Sequence, residues 1–384
     1  TALNLRSIPQ RWGMSISTVL SIALVVGVLL AFGAMANGFQ ATLAGSGSDD
    51  IAVVLRKGAQ AELNSGLSRD QTRLIREAPG LARNAAGDTM ASAELYVIVD
   101  GIKRTTQTEV NLPLRGVESE AVNLRSGLRI SQGRMFASGS NELIVGEAVL
   151  REFAGFDVGS EIKLGNNTWR VVGAFSTGGT AFESEIWTDA GVLQVLYQRG
   201  SSYQSMRVKL DGADGLEKLI AWAEAEPQVN LDIVTEKQFF ASQAGQLSSI
   251  IMYMGWPLSI IMAIGALAGA WNAMYASVDA RTREIATLRT LGFSGFAAFV
   301  GTMIEALLLS FIGGIIGSLF AYLLFNGIST STLGAGFTQV VFLFEVTTSS
   351  IITGIILALI VGFLGGVAPS IRASRISLLA VHGD

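Results

Sequence analysis

The sequence predicts a membrane α-helical protein with four transmembrane helices and an extracytoplasmic α+β domain between helices one and two. Composition is the first observation: the 384 residues are 50% hydrophobic and only 15% charged, whereas soluble chains average about 25% charged. Mean hydropathy is +0.46. The second observation is the uneven spread of charge, because long stretches carry none while a segment of about 210 residues carries most of it.

The uncharged stretches define the predicted membrane helices. No Asp, Glu, Lys or Arg lies at 12–48, 238–278, 290–304, 306–344 or 346–371. A spanning helix needs about 20 apolar residues, at 1.5 Å rise across roughly 30 Å of hydrocarbon. The apolar runs that meet this length are Ile16–Ala36, Ile250–Val278, Phe296–Phe325 and Ile351–Ile371.

The first apolar run has an alternative interpretation as a cleaved signal peptide. Ala34-Met35-Ala36 resembles a cleavage site after a basic segment. The run is longer than the stretch of about 7–15 apolar residues typical of signal peptides, so we expect the helix to be retained.

Lys and Arg residues near the helix ends predict the orientation, because short cytoplasmic segments are enriched in them. The link at 326–350 has none. The flanking basic residues are Arg6, Arg11, Arg281, Arg283, Arg289, Arg372 and Arg375. Both termini and the link at 279–295 are therefore predicted to be cytoplasmic, and the long charged segment is predicted to be extracytoplasmic.

The predicted organisation follows from these assignments. Its parts are 1–36, the N-terminus and helix one; 37–248, the extracytoplasmic domain with a stalk; 249–278, helix two; 279–295, a cytoplasmic helix; 296–371, helices three and four with a short extracytoplasmic link; and 372–384, a cytoplasmic tail.

The extracytoplasmic segment alternates strand and helix patterns. Ser68 is a predicted N-cap for a helix at 68–77, and Asp100-Gly101 predicts a hairpin turn. A second hairpin is expected at Gly165-Asn166-Asn167. Other predicted strands lie at 50–55, 141–145, 206–210 and 231–234, with helices at 147–153 and 214–224. The segment 235–249 predicts an outward extension of helix two.

The composition argues against enzymatic chemistry and against nucleic-acid binding. The chain has no Cys, one His and a net charge of −4, so it offers no thiolate zinc site, no His cluster and no basic face. We therefore expect no catalytic residue and no metal site. The acidic pairs Glu183/Glu185 and Asp49/Asp50 are interpreted as structural or solvated carboxylates.

Within the membrane segments, glycines and one carboxylate stand out. Gly pairs four residues apart allow close helix packing; they are Gly265 and Gly269, Gly313 and Gly317, and Gly362 and Gly366. Glu305 lies about ten residues into helix three. It is either a proton or substrate site or, as we favour, a carboxylate near the cytoplasmic interface that bonds a neighbouring helix.

The cytoplasmic link is the most informative segment. Ile285, Leu288 and Leu291 recur at helical spacing, and Gly292 follows as an expected helix stop. The pattern indicates a short amphipathic helix that offers an apolar ridge, or one whose arginines only satisfy the positive-inside rule.

Residues Arg283–Gly292 closely resemble the R-E-I-G-x-L-R-A-L-G signature of the FtsX/MacB-like permeases of ABC transporters. Glu305, thirteen residues later, fits the same family. The run from Pro369 to Ala380 resembles their P-x-x-R-A-x-R-x-x-P ending, although no Pro follows Arg375 in this sequence. Gly133–Phe136 and Asn141–Gly146 are similar to the family's MacB-type periplasmic core domain.

The resemblance implies a non-catalytic permease subunit that works with a cytoplasmic ABC ATPase dimer, on which ATP and Mg²⁺ bind. No GxxxxGK[ST] loop occurs in the sequence. The link would be the coupling helix: Ile285, Leu288 and Leu291 would anchor it on the ATPase. The residues that would set its register and end it are Arg281, Arg283, Glu284, Arg289 and Gly292. Further implied partners are a second permease copy, identical or paralogous, the membrane, and a periplasmic adaptor or outer-membrane component.

The implied function is ATP-driven motion of the outer domain that exports or extracts a lipid, lipoprotein, peptide or drug. One alternative is a mechanotransmitting regulator of a cell-envelope enzyme with the same ATPase coupling. A secondary transporter using Glu305 is less favoured, because four helices with one carboxylate fit that class poorly. A tethered receptor without an ATPase is also less favoured, because it would not need an Arg-rich link helix.

Overall fold

The structure, a computed structural model, describes residues 12–334 and 338–376. It divides into two compact units, the membrane unit and the outer unit. The membrane unit comprises the described parts of Thr1–Gly38, Ser248–Ile328 and Phe344–Asp384; the outer unit comprises those of Phe39–Leu247 and Ser329–Leu343. The predicted features at Arg6 and Arg11, and the end of the run from Pro369 to Ala380, lie outside the described residues.

The secondary structure alternates long helices with short mixed elements. In chain order the helices and strands are α1 (Trp12–Ala44), β1 (Ile51–Arg56), α2 (Arg69–Glu77), β2 (Ala91–Lys103), β3 (Glu109–Val117), α3 (Ala121–Leu124), β4 (Arg129–Gly133), β5 (Glu142–Gly146), α4 (Glu147–Glu152), β6 (Phe153–Ala154), β7 (Glu161–Leu164), β8 (Asn167–Ser176), β9 (Ile186–Asp189), α5 (Ala190–Leu196), β10 (Ser205–Lys209), α6 (Gly215–Ala225), β11 (Leu231–Thr235), α7 (Glu236–Ala280), α8 (Thr282–Thr290), α9 (Gly295–Phe325), β12 (Ser329–Leu333), β13 (Gln339–Leu343) and α10 (Thr348–Ser374).

In the part of the chain that the structure describes, four helices are long and apolar enough to cross a membrane: α1, α7, α9 and α10. The four apolar runs of the sequence are thus helical. Helix α7 has 45 residues and begins at Glu236, so the predicted stalk and the second apolar stretch are one helix.

The membrane unit packs around α1. Ile22, Val26 and Leu30 of α1 are buried against alanines of the other long helices, among them Ala266 and Ala358. Small partners let the backbones approach closely, which is how membrane helices gain dispersion energy in the absence of a hydrophobic driving force.

One polar contact also joins α1 to the start of α10. Asn37 Nδ2 donates to Ser350 Oγ at 2.9 Å and to Thr347 Oγ1 at 3.2 Å. Thr347 is the N-cap of α10, and its side chain accepts from the amide of Ser350. The contact satisfies side chains at the end of an apolar helix, where an unpaired polar group is costly.

Among its described residues the outer unit contains an eleven-stranded mixed sheet in the order β11-β1-β10-β2-β3-β9-β5-β8-β4, with β6 on β2 and β7 on β8. The pairs β3–β9 and β5–β8 are parallel. Separate apolar clusters pack on its two halves: one includes Ile75, Met206 and Leu219, and the other includes Leu143 and Trp169.

Most local predictions for this unit are confirmed. Ser68 caps α2 in a full capping box, because its Oγ accepts from the Gln71 amide and its own amide donates to Gln71 Oε1. The β7–β8 hairpin turns at Gly165, whose φ of +60° suits glycine.

The hairpin turn predicted at Asp100-Gly101 is wrong. β2 runs straight through Gly101, which pairs with Val110 on β3, and the chain reverses after Lys103. A Cβ at position 101 would lie 2.4 Å from Leu112 Cδ1. The glycine therefore makes room for a cross-strand leucine rather than forming a turn.

The segment between α9 and α10, which the sequence suggests is a simple link, forms the hairpin β12–β13 and is part of the outer unit. Val341 joins one apolar cluster of that unit, and its amide donates to Ser184 Oγ at 2.9 Å. Thr338 Oγ1 lies 3.0 Å from the hydroxyl of Tyr96. Periodicity within a short polar segment does not reveal contacts that form across more than 150 residues of chain.

Candidate functional site

A nine-residue helix, α8, connects α7 to α9. It ends where Gly292 adopts a φ of +97° and donates its amide to the carbonyl of Arg289. Ser294 then caps α9 by accepting from the amide of Ala297. The predicted short helix with a glycine stop is confirmed.

Helix α8 presents two different faces. Arg283, Glu284 and Thr287 are exposed, and Leu291, just past the helix end, is 72% exposed. Ala286 is fully buried. The exposed face therefore combines opposite charges with one apolar side chain, as an interface for a water-soluble protein often does.

The opposite face of α8 lines a groove of about 640 Å³ against the first turns of α9. Ile285 and Leu288, two of the predicted docking anchors, are half-buried along this groove. Phe293, Phe296 and Val300 complete its apolar wall. The predicted apolar ridge is thus divided, because only Leu291 lies on the exposed face.

An ion pair between Arg281 and Glu305 lies in the lining of the groove. Arg281 Nη1 donates to Glu305 Oε2 at 3.0 Å, and Ser277 Oγ lies 3.3 Å from Glu305 Oε1. The Arg281 and Glu305 side chains are 9% and 8% exposed. Glu305 therefore has a fixed counter-ion, and this arrangement disfavours its use as a mobile proton site.

Arg281 also contacts α8. Its Nε lies 3.3 Å from Glu284 Oε2, one turn into α8. Its amide and carbonyl extend the backbone bonding from α7 into α8. Arg281 thus connects the end of α7, the start of α8 and the interior of α9, although the sequence suggests only a surface role for it.

The other end of α8 is held by the end of α10. Arg289 Nη1 donates to the carbonyl of Ile376. Nearby, Arg372 forms an ion pair with Asp279 at 2.8 Å, and its guanidinium lies 5.5 Å from the centre of the Tyr275 ring. Both ends of α8 therefore make polar contacts with neighbouring parts of the membrane unit.

Two protein-family descriptions match parts of this chain. Residues 15–226 match the MacB-like periplasmic core domain, which is more than half of the chain. Residues 257–378 match the FtsX-like permease C-terminal region. The chain belongs to the FtsX/MacB-like ABC transporter permeases. This permease is accordingly a multi-pass protein of the inner membrane.

Individual relatives of the permease are distant. It is 24% identical to the ABC transporter permease YvrN of Bacillus subtilis over 94% of this chain and 93% of the relative, and 22% identical to the permease YknZ of the same species over 71% and 70%. It is also 24% identical to the macrolide export ATP-binding/permease protein MacB of Shewanella oneidensis. That match covers 84% of this chain but 54% of MacB, so the permease spans about half of that protein's length.

Solved structures with some likeness to the permease are of related extracellular regions. The extracellular domain of YknZ from Gram-positive bacteria matches 48% of this chain and 100% of that one, with 14% identity and a TM-score of 0.37. The periplasmic region of MacB from Actinobacillus actinomycetemcomitans matches 50% and 92%, with 13% identity and a TM-score of 0.39.

Four of the permease's predicted packing glycines lie at close helix contacts. A Cβ added at Gly313 or Gly317 of α9 would lie 2.9 Å or 2.4 Å, respectively, from a carbonyl oxygen of α1. Gly362 and Gly366 of α10 face Ser310 and Ala306 of α9 at similarly short distances. These positions need glycine because another backbone or side chain occupies the space.

The remaining pair lies elsewhere on the permease. Gly265 and Gly269 of α7 have open space where a Cβ would stand. The same helix exposes large apolar side chains such as Ile261 and Ile264. Among the described residues of a single chain, these two glycines therefore make no close helix contact.

The outer unit of the permease contains a buried charge network that the sequence did not indicate. Three arginines and four glutamates, each at most 8% exposed, form it among the described residues: Arg115, Arg125, Arg207, Glu62, Glu94, Glu185 and Glu236. One sequence signal could have indicated the network. Arg115 lies inside the otherwise apolar strand Leu-Pro-Leu-Arg-Gly-Val, and a charged side chain at such a position is buried only when it has partners.

Two arginines of the network, Arg115 and Arg207, bridge carboxylates from different elements, and Arg125 pairs with Glu94. Arg115 donates to both oxygens of Glu62 at 2.7 and 2.9 Å and to both oxygens of Glu185 at 2.7 Å. Arg207 donates to Glu94 at 2.6 Å and, through Nε, to Glu236 at 2.8 Å. The network thus joins β2, β3 and β10 to the first residue of α7.

These arginines determine the protonation of the carboxylates. Burial alone would raise the pKa of Glu94, but the guanidiniums of Arg125, Arg207 and Arg115 lower it to about 2. Burial likewise opposes the effect of Arg115 and Arg207 on Glu62, whose pKa still lies well below its ordinary value. Both carboxylates are therefore ionised at neutral pH.

The predicted acidic pairs are structural in the permease. Glu183 lies in a short 3-10 turn, where its Oε1 accepts from the amides of Thr177 and Gly179 and from the hydroxyl of Ser176. Glu185 belongs to the network. Asp49 pairs with Lys237 at 2.7 Å on the surface.

Proposed function

We propose that this permease couples ATP binding and hydrolysis on a partner ATPase to motion of its outer unit, and so drives export or extraction of a lipid, lipoprotein, peptide or drug. The covalent connections between the two units support this proposal. Over the described residues the chain passes between the units after Gly38, Leu247, Ile328 and Leu343. Each long apolar helix therefore adjoins the outer unit in the chain, and movement of any of them reaches that unit through a covalent connection.

The exposed face of α8 supports the ATPase as the source of the movement. Arg283, Glu284, Thr287 and Leu291 present charge and one apolar side chain to solvent. The opposite face packs on the permease itself. We assign the exposed face to the ATPase, with Leu291 as the apolar contact and the charges fixing its register.

This assignment requires α8 to be cytoplasmic and the outer unit to lie on the other side of the membrane. Because the chain lacks cysteine, single-cysteine labelling tests it without background. Thr287→Cys on α8 and Glu217→Cys on α6 are both at exposed positions. In intact cells an impermeant maleimide should label only position 217, with 287 labelled after permeabilisation. Labelling of 287 in intact cells would contradict the orientation.

The docking itself is tested with a matched pair of substitutions. Leu291→Glu and Val195→Glu each add one acid at an apolar side chain that is 72% or 75% exposed. The chain is expressed with its neighbouring genes, and the ATPase recovered with it is measured together with its hydrolysis rate. Leu291→Glu should lower recovery by about tenfold, the effect of losing a central apolar contact, and Val195→Glu should leave it unchanged. Equal recovery with both variants would remove α8 as the docking site.

The relative named as a macrolide exporter makes a macrolide the first cargo to test. ATP-dependent loss of a labelled macrolide from cells or vesicles containing the permease and its ATPase would support export. Release of a labelled lipoprotein without macrolide transport would support extraction. ATP hydrolysis with movement of neither, but with activation of an envelope enzyme, would support the regulatory alternative.

A further inference from the structure

We propose that the groove between α8 and the first turns of α9 binds an anionic phospholipid. Its phosphate would lie against Arg289, and its acyl chain would lie along Leu288, Phe293, Phe296 and Val300. The proposal concerns the inner face of α8. It does not depend on the ATPase that we assign to the exposed face.

The wall of the groove is apolar and open. Phe293 is 57% exposed and Phe296 is 73% exposed, although both side chains are large and hydrophobic. They line a volume of about 640 Å³ together with Leu288 and Val300. This volume is within the range of roughly 300–1,000 Å³ seen for small-molecule sites. An exposed apolar surface of this kind marks contact with a nonaqueous partner.

The charges along the groove favour a negative ligand. Arg281, Arg289 and Glu305 line it, so cations exceed anions by one. Arg281 is engaged by Glu305 at 3.0 Å. Arg289 donates to the neutral carbonyl of Ile376, and the described residues place no carboxylate in an ion pair with it. Basic pockets beside membrane helices are the usual sites for anionic lipid headgroups.

The position of the groove along α9 matches the headgroup level of a bilayer. From Ala306 to Phe325, α9 carries no charge, and these 20 residues span about 30 Å, the thickness of the hydrocarbon core. The turns of α9 before Glu305 therefore extend beyond the core. α7 ends at Ala280, directly before Arg281, so both helices place the groove at the same membrane boundary.

Lipid binding to the purified full chain tests the proposal. The probes are phosphatidylglycerol, phosphatidylcholine with the same acyl chains, and inorganic phosphate, each added in detergent and measured as bound mass by native mass spectrometry. Phosphatidylglycerol should bind more tightly than phosphatidylcholine, and phosphate should not displace it. Arg289→Gln should weaken phosphatidylglycerol binding about fivefold, the effect of one basic residue at an anionic membrane surface. Arg289→Lys should restore most of it.

Arg283→Gln is the matched control, because Arg283 is on the same helix but on the exposed face. It should leave phosphatidylglycerol binding unchanged. Photoactivatable phosphatidylglycerol on the unsubstituted chain provides a second measurement that does not depend on a variant folding, and its cross-links should map to 285–300. The proposal would be overturned if Arg289→Gln and Arg283→Gln had equal effects, if both lipids bound equally, or if phosphate displaced the lipid. It would also be overturned if the cross-links were confined to other segments, or if Arg289→Gln lost a second copy of the chain and kept the lipid.

Discussion

The two units of this permease bury charge in opposite ways. The outer unit concentrates three arginines and four glutamates in one network, where Glu94 has ion pairs to three different arginines. In the membrane unit, the pair Arg281–Glu305 lies beside helices that otherwise pack through glycine, alanine and branched apolar side chains. Among the described residues, one interior therefore depends on many shared charges, and the other depends on close helix contact plus one buried ion pair.

This difference determines what a substitution does in each unit. In the network, one arginine serves several carboxylates, so its loss leaves several charges without a full set of partners. In the membrane unit, Glu305 pairs with Arg281, whose other carboxylate partner, Glu284, is exposed, so removing Arg281 and Glu305 together leaves neither charge buried without the other. The following predictions test this difference, from the largest expected effect to the smallest.

Arg207→Met should have the largest effect. Arg207 has no exposed surface and bonds Glu62, Glu94 and Glu236. Its loss should cost roughly 3–5 kcal/mol of opening free energy, as for other broken buried pairs. Hydrogen exchange of β2 and β10 amides in the full chain measures this cost.

The control for Arg207→Met is Arg134→Met. Arg134 is 58% exposed and pairs with Glu142 at the surface, so its loss should cost at most about 1 kcal/mol. If both variants lowered the opening free energy equally, the buried network would contribute no more to stability than a surface ion pair.

Acid should destabilise the outer unit selectively. The pKa of Glu94 is about 2 in the folded protein against an ordinary 4.5, so its ion pairs contribute fully above pH 4.5 and are lost as pH falls from there towards 2. At about 1.4 kcal/mol for each pKa unit, the loss is at most about 3.5 kcal/mol. Thermal unfolding followed by the fluorescence of buried Trp169 and Trp187 measures it, and a transition unchanged between pH 6 and pH 3 would contradict it.

Glu305→Gln should have a moderate effect on the membrane unit. Arg281 would keep Glu284 at 3.3 Å and lose its buried counter-ion, at a cost of about 2 kcal/mol. Hydrogen exchange of α8 amides should rise accordingly.

The double variant Arg281→Met with Glu305→Leu tests whether loss of this ion pair can be compensated by apolar side chains, unlike loss of an ion pair in the network. It should recover much of the loss seen with Glu305→Gln, because an apolar pair can replace a buried ion pair. An additive loss of stability would show that the contact of Arg281 with Glu284 also stabilises the membrane unit. The equivalent double replacement of Arg207 and Glu94 should not recover, since Arg125 would lose Glu94 and Glu236 would lose Arg207.

Glycine substitutions should have the smallest effect and should separate packed from open positions. Gly317→Ala would bring a Cβ 2.4 Å from the carbonyl oxygen of Ala23, at a cost of about 1–2 kcal/mol. Gly265→Ala meets nothing within 4 Å and should gain up to about 1 kcal/mol from helix propensity. Thermal unfolding of both variants in detergent is the measurement. A loss of stability with Gly265→Ala would reveal a second copy of the chain packed on α7.

Sequence reasoning succeeded where one local rule decides the outcome. An uncharged run of about 20 residues has to be a helix if it is in a bilayer, and α8 was predicted from spacing and from Gly292. Reasoning failed where several local rules compete. Asp100-Gly101 is a common turn sequence, but Leu112 on the neighbouring strand required a glycine within a straight strand.

Long-range charge pairing could not be predicted from spacing. Glu305 was expected to bond a neighbouring helix, and that expectation gave no means of choosing Arg281 from the nearby arginines. The network combines Glu94 of β2 with Arg207 of β10, 113 residues away. Only the sheet order, which pairs β10 with β2, brings such residues together.

The β12–β13 hairpin has a consequence for anyone who wants to study the outer unit as a fragment. A clone of 39–247 follows the obvious boundaries but omits a piece of the domain encoded more than 80 residues downstream. Such a fragment would leave Ser184 without its partner amide, Tyr96 without Thr338 and an apolar cluster without Val341. A soluble version should append 329–343 through a designed linker, and its yield relative to the shorter fragment would measure what that distant piece contributes to folding.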